Sequence, residues 1–195
     1  MARDRADLVV IGAGTIGGWA SVFAREVGAR RVVVVERDLA GQGASSRAAG
    51  VVRQQGGTPD TVRLGRWSVG FYRGQAERYG TDSGFRELGY VILAISAADE
   101  RAARERVAMQ RDTGLDVAWL DADAVRALNP TLADRGFRGG TYASTDGSID
   151  PVRNVRAYSL AMRSAGVELR ERTAFEGLRT RAGRGGRRVV TGVRT

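Results

Sequence analysis

The chain has 195 residues, 43% of them hydrophobic, enough for one large domain or two interleaved smaller ones around an apolar core. It holds no cysteine and no histidine, which excludes disulfides, thiolate nucleophiles, imidazole bases and metal sites built from those side chains. The formal charge is +9 and every cationic side chain is arginine, yet no run of about 18 apolar residues offers a membrane span.

The N-terminus passes directly into an apolar run, Leu8–Ile11, which suits a buried parallel strand and leaves no room for a secretory signal, so a cytoplasmic location is expected. The run enters Gly12-Ala13-Gly14-Thr15-Ile16-Gly17, a Gly-x-Gly-x-x-Gly fingerprint. Gly12 makes the tight turn, Gly14 admits a pyrophosphate against the backbone, and Gly17 lets the following helix lie close to the sheet. The helix N-terminus offers N–H groups and a positive dipole end to phosphates. Arg31–Val35 reads as the second strand, and Glu36 ends it about 20 residues after Gly17, where a carboxylate accepts both hydroxyls of an adenosine ribose. An acidic residue there favours FAD or NAD over a 2′-phosphorylated dinucleotide.

Residues 41–53 are dominated by small side chains, and Gly43, Ala44, Ser45 and Ser46 can turn backbone N–H groups and two hydroxyls toward an anion. Pro59–Tyr79 reads as a helix, Phe85–Ile95 as a strand, Ala97–Thr113 as a charged helix and Val117–Leu120 as a short strand. Asp121 caps a helix that ends before Pro130, and Phe137–Ser144 is another strand. Asp146 and Asp150 flank Gly147 as turn and cap residues. Asp150 and Pro151 start a helix to Ala165, which Gly166 stops. Val167–Arg172 is the expected third parallel strand. Thr173–Arg181 and Arg187–Thr195 are strands of a meander turned at residues 182–186. The arginines around that turn have no interleaved aromatic residue for base stacking, so no nucleic-acid partner is expected.

The order of motifs resembles the amine- and amino-acid-oxidising flavoproteins of the D-amino-acid oxidase, glycine oxidase and sarcosine oxidase type. It runs from the glycine turn and the acidic strand end to Gly43-Ala44-Ser45-Ser46 and Ala48-Ala49-Gly50. The resemblance implies an α/β fold, with a Rossmann-like FAD-binding domain and part of an inserted α+β substrate domain, truncated at its C-terminus. Residues 1–53 would form the FAD-binding βαβ unit and flavin loop, 54–150 the partial substrate domain, and 151–195 the return to the FAD-binding domain.

It further implies that Gly12, Ala13, Gly14, Thr15, Ile16 and Gly17 face the pyrophosphate of FAD, and that Glu36 holds the ribose with Arg37 beside it. Gly43, Ala44, Ser45 and Ser46 would meet the phosphates or ribityl chain, and Ala48, Ala49, Gly50 and Val51 would pass the isoalloxazine. Phe175 takes the place of the valine that usually meets the adenine. Without histidine or cysteine, any flavin held by these residues is non-covalent. The expected activity is oxidation of a C–N bond of an amine or amino acid by hydride transfer to flavin, the other partner being the missing C-terminal half of the same protein. Arg53 and Tyr90 are candidates to orient a substrate carboxylate; no acid–base pair stands out. Two alternatives remain open: an NAD-binding dehydrogenase, and an inactive fragment acting as an interaction module.

Overall fold

A computed structural model describes residues 5–132 and 136–195. In chain order the first elements are β1 (Leu8–Ile11), α1 (Thr15–Glu26), β2 (Val32–Val35), β3 (Val51–Val52), α2 (Pro59–Arg73), α3 (Gln75–Tyr79), β4 (Arg86–Glu87) and β5 (Tyr90–Ala94). There follow α4 (Ala97–Asp112), β6 (Ala118–Asp121), α5 (Ala122–Leu128), β7 (Gly139–Ala143) and β8 (Gly147–Ser148). The last are α6 (Pro151–Ser164), β9 (Glu168–Arg170), β10 (Gly177–Ala182) and β11 (Arg188–Arg194). Among the described residues no helix is long and apolar enough to cross a membrane.

The chain divides into two units, one of Met1–Ala48, Thr81–Ser83 and Pro151–Thr195, the other of Ala49–Gly80 and Gly84–Asp150. In the first, four consecutive valines make β2 the centre of a parallel sheet ordered β1-β2-β9, with Leu8 opposite Val32 and Val33 opposite Glu168. All four are buried, as a strand covered on both faces requires. Helices α1 and α6 pack against each other beside this sheet, burying Trp19, Val22, Ala157, Tyr158, Ala161 and Met162. Gly166, at φ 68°, ends the α6 segment, and β10 and β11 form an antiparallel hairpin with a bulge between Arg179 and Thr180.

In the second unit an antiparallel sheet ordered β5-β7-β6 carries the core, where Val62, Val107, Leu115, Val117 and Ala143 converge. A smaller antiparallel sheet of the same unit is ordered β3-β8-β4. The helix starts obey local chemistry. Thr58 and Thr61 form a capping box ahead of α2 with Pro59 in its first turn, and Ser96 and Asp99 form another ahead of α4. Hydrogen bonds from the Ser96 backbone and hydroxyl hold the Asp99 carboxyl below the usual carboxylate range. Asp121 caps α5 through the Ala124 N–H at 2.8 Å, as its position predicts.

Three expectations need correction. The helix expected over Pro59–Tyr79 is two helices, because Gly74 leaves the helical ladder between them. The strand expected over Phe85–Ile95 is interrupted at Leu88 and Gly89, where Gly89 takes φ 72° and a Cβ would lie 2.5 Å from the Tyr142 ring. The meander begins at Gly177 instead of Thr173, since the Thr173 N–H is drawn to Glu36 O at 2.7 Å.

Candidate functional site

At the end of β1, Gly12 adopts φ 95°, a conformation that disfavours any side chain, and its N–H donates to Val35 O at 2.8 Å. A Cβ on Gly17 would overlap Gly12 O, so helix and turn approach this closely only with hydrogen at that position. Gly14 caps α1 without a side chain to do so, and the first turn of the helix has no acidic residue. The cap comes from elsewhere: Ser45 Oγ accepts the Thr15 N–H at 2.9 Å, and a Cβ at Gly14 would come within 3.0 Å of that oxygen. The positive end of the helix therefore has no acidic side chain of its own in its first turn, and the carboxylate beside it comes from Glu36.

Glu36 closes the other side. Its Oε2 accepts the Ala13 N–H at 2.8 Å and its Oε1 the Asp38 N–H at 3.0 Å. Its own backbone is fixed by donation to Arg170 O at 2.9 Å and acceptance from Thr173 N. One donor on each oxygen leaves each a further lone pair, the acceptor pattern that two vicinal ribose hydroxyls require. The glycine turn, the carboxylate and Ser45 thus fit a dinucleotide.

Sequence reasoning missed the layer behind the turn. Tyr158, fully buried on α6, donates its hydroxyl to Ala13 O at 3.0 Å, and Gly41 N–H donates to the same oxygen at 3.0 Å. Burial, and secondarily the Glu36 charge, pushes the Tyr158 hydroxyl up to about 12. One turn earlier, buried Asn154 donates from Nδ2 to Thr15 Oγ1 at 3.0 Å, while its Oδ1 accepts from Trp19 Nε1 at 3.2 Å and Ser83 Oγ at 3.0 Å. The available signal was Asn154 and Tyr158 four residues apart on one helix face.

The other expected positions fall as follows. Ile16 is almost fully exposed, so only its backbone serves the turn. Arg37 is exposed and pairs with Asp38 at 3.3 Å. Gly43 leads into a single 3₁₀ turn, Ala44–Ser46, and Phe175 is partly exposed. Ala48 ends the first unit's segment.

Ala49, Gly50, Val51, Arg53 and Tyr90 belong to the second unit. There Gly50, at φ 73°, accepts the Ile149 N–H at 2.8 Å, while Ala49, Val51 and Arg53 are exposed. Tyr90 pairs across the sheet with Ala143, which puts it on the face that carries the core. Asp146 is more than a turn residue. Fully buried, its Oδ1 accepts from Gln54 N at 2.7 Å and Gln54 Nε2 at 3.2 Å, and its Oδ2 from Gln55 Nε2 at 3.0 Å. Its carbonyl accepts the Leu88 and Gly89 N–H groups, so one residue ties the segment after β3 to the turn before β5.

Sheet order, glycine turn and carboxylate define an α/β dinucleotide-binding protein. Residues 7–195 match the DAO family, FAD dependent oxidoreductase; the chain belongs to that family, whose cofactor is FAD. It is 29% identical over 168 residues to 4-methylaminobutanoate oxidase (formaldehyde-forming) of Paenarthrobacter nicotinovorans, covering 85% of this chain and 20% of that protein. It is 30% identical over 183 residues to glycine oxidase of Geobacillus kaustophilus (strain HTA426), covering 90% and 48%. The L-proline dehydrogenase structure from P. horikoshii shares the fold at a TM-score of 0.85 and 23% identity, over 97% of this chain and 49% of that one. The chain spans less than half the length of these relatives. The expected family, α/β fold and cofactor are borne out.

Proposed function

We propose that these residues form the FAD-holding N-terminal part of an enzyme that oxidises a C–N bond of an amine or amino acid of the sarcosine, glycine or D-amino-acid kind. The reading is carried by one arrangement: Glu36, the glycine turn and Ser45 meeting at the N-terminus of α1. Names of relatives such as glycine oxidase support the substrate class. The backbone from Gly12 to Gly17 takes the pyrophosphate, Glu36 the ribose with Arg37 beside it, and Gly43 to Ser46 the phosphates or ribityl chain. Ala48, Ala49, Gly50 and Val51 run along the isoalloxazine, and Phe175 stands near the adenine. Bound FAD supplies the acceptor for a hydride from the carbon next to the amine nitrogen. Arg53 and Tyr90 orient the substrate carboxylate.

The protein is cytoplasmic, and its remaining catalytic groups come from a C-terminal portion beyond these 195 residues. By itself this chain binds the dinucleotide without turnover. The test is a visible spectrum of the purified chain after incubation with FAD and desalting, with NAD as control. A retained flavin band supports the proposal. Saturable binding of NAD in preference to FAD would instead make the protein a nicotinamide dehydrogenase, and indifference to both would leave an interaction module.

A further inference from the structure

We propose that Asn154 is a positioning residue that fixes the proton of the Thr15 hydroxyl toward the bound pyrophosphate, which extends the dinucleotide reading above. Thr15, Trp19, Ser83 and Asn154 form one hydrogen-bond chain within a single unit, and the polarity of each bond follows from the atom types. An indole nitrogen can only donate, so the Asn154 atom facing Trp19 Nε1 must be the amide oxygen. Ser83 Oγ meets the same oxygen at 3.0 Å and therefore donates as well. With both donors on Oδ1, the amide cannot flip, and Nδ2 must face Thr15 Oγ1. An amide nitrogen only donates, so Thr15 Oγ1 is the acceptor of that bond, and its own proton is directed elsewhere.

The site makes the direction matter. Thr15 is the first residue of α1, half-buried, at the helix end that the glycine turn opens to an anion. Its N–H is already held by Ser45 Oγ, so the hydroxyl is the donor Thr15 has left to offer. A carboxylate at 154 would reverse the chain: it would accept from Trp19, Ser83 and Thr15 alike and draw the Thr15 proton away from the phosphate. Asn154 is 1% exposed and does not itself meet solvent, so it acts through Thr15.

The test is a double-mutant cycle on ADP affinity, measured by calorimetric titration of the 195-residue chain and repeated with FAD. ADP carries the ribose and pyrophosphate and no flavin. Thr15→Val in the natural background should weaken ADP about tenfold, the size of a lost hydrogen bond to a charged group, and Thr15→Ser should restore it. Asn154→Asp should weaken ADP at least as much. In that background Thr15→Val should change nothing further, because the proton has already been withdrawn. If Thr15→Val costs the same factor in both backgrounds, Asn154 does not act through Thr15 and the inference is overturned. Should Asn154→Asp fail to fold, equal affinities for Thr15→Val and Thr15→Ser overturn it independently. A natural chain that binds neither ADP nor FAD overturns the dinucleotide reading itself, and this inference with it.

Discussion

Tyr158 does two things at once. Its hydroxyl fixes the Ala13 carbonyl, and in a trans peptide the following N–H, that of Gly14, then points the opposite way, outward from the turn. Its burial also stores a pH dependence. Burial pushes the hydroxyl up to about 12 in the folded chain, above the ordinary tyrosine value of about 10. The folded state therefore keeps a proton that the unfolded chain releases above pH 10. That stabilisation is complete below pH 10 and is lost as pH rises toward 12, by on the order of 2 kcal/mol. Tyr158→Phe should destabilise the chain by about 1 kcal/mol at pH 7.5 through the lost hydrogen bond. Above pH 10 the gap should close and then reverse, because phenylalanine has no proton to lose. Urea unfolding at pH 7.5, 9 and 11 reads this directly; curves that stay parallel for the two proteins would sink the argument.

Elements show how far local chemistry reaches. The strand–turn–helix–strand order, the position of Glu36, the Thr58 and Ser96 helix starts and the Asp121 cap were all legible, because each depends on residues within a few positions of one another. Asn154 and Tyr158 were not: their partners Thr15 and Ala13 lie 139 and 145 residues away in sequence. Asp146 reads as a turn residue for the same reason, since its donor Gln54 is 92 residues distant. The contact between α1 and α6 also explains a glycine outside the fingerprint. A Cβ at Gly18 would stand 2.5 Å from Tyr158 Cδ2 and 2.8 Å from its Cγ, against a ring with no room to retreat. Alanine gains about 1 kcal/mol over glycine inside a helix, while overpacking of this kind costs about 1–3 kcal/mol. Gly18→Ala should therefore be destabilising on balance. In α2, Gly70 has nothing within 4 Å of a Cβ, so Gly70→Ala should stabilise by about 1 kcal/mol. Opposite signs of the two shifts in thermal unfolding check the packing account; equal signs refute it.

For the whole molecule, the question is what a formal charge of +9 does. The arginine ion pairs are mostly exposed, among them Arg31–Glu168, Arg73–Glu87 and Arg153–Asp82. Such pairs contribute about 0–1 kcal/mol each, so the charge is a matter of association and not of fold. Two kinds of anion would meet it differently. A polyanion meets the arginines as a diffuse field, without stacking partners in the arginine-rich turn at Arg184–Gly186 between β10 and β11. A dinucleotide meets directed donors at the start of α1 and a carboxylate acceptor in Glu36. Only the first mode depends on releasing many counterions. Single-stranded DNA held through about six phosphates should lose roughly 300-fold in affinity between 50 and 200 mM salt. ADP, with one pyrophosphate and several directional bonds, should lose less than about tenfold over the same range. Fluorescence polarisation of a labelled oligonucleotide, run beside ADP titrations at both salt concentrations, separates the two. An oligonucleotide affinity that survives at 200 mM salt would mean that the basic surface recognises nucleic acid after all.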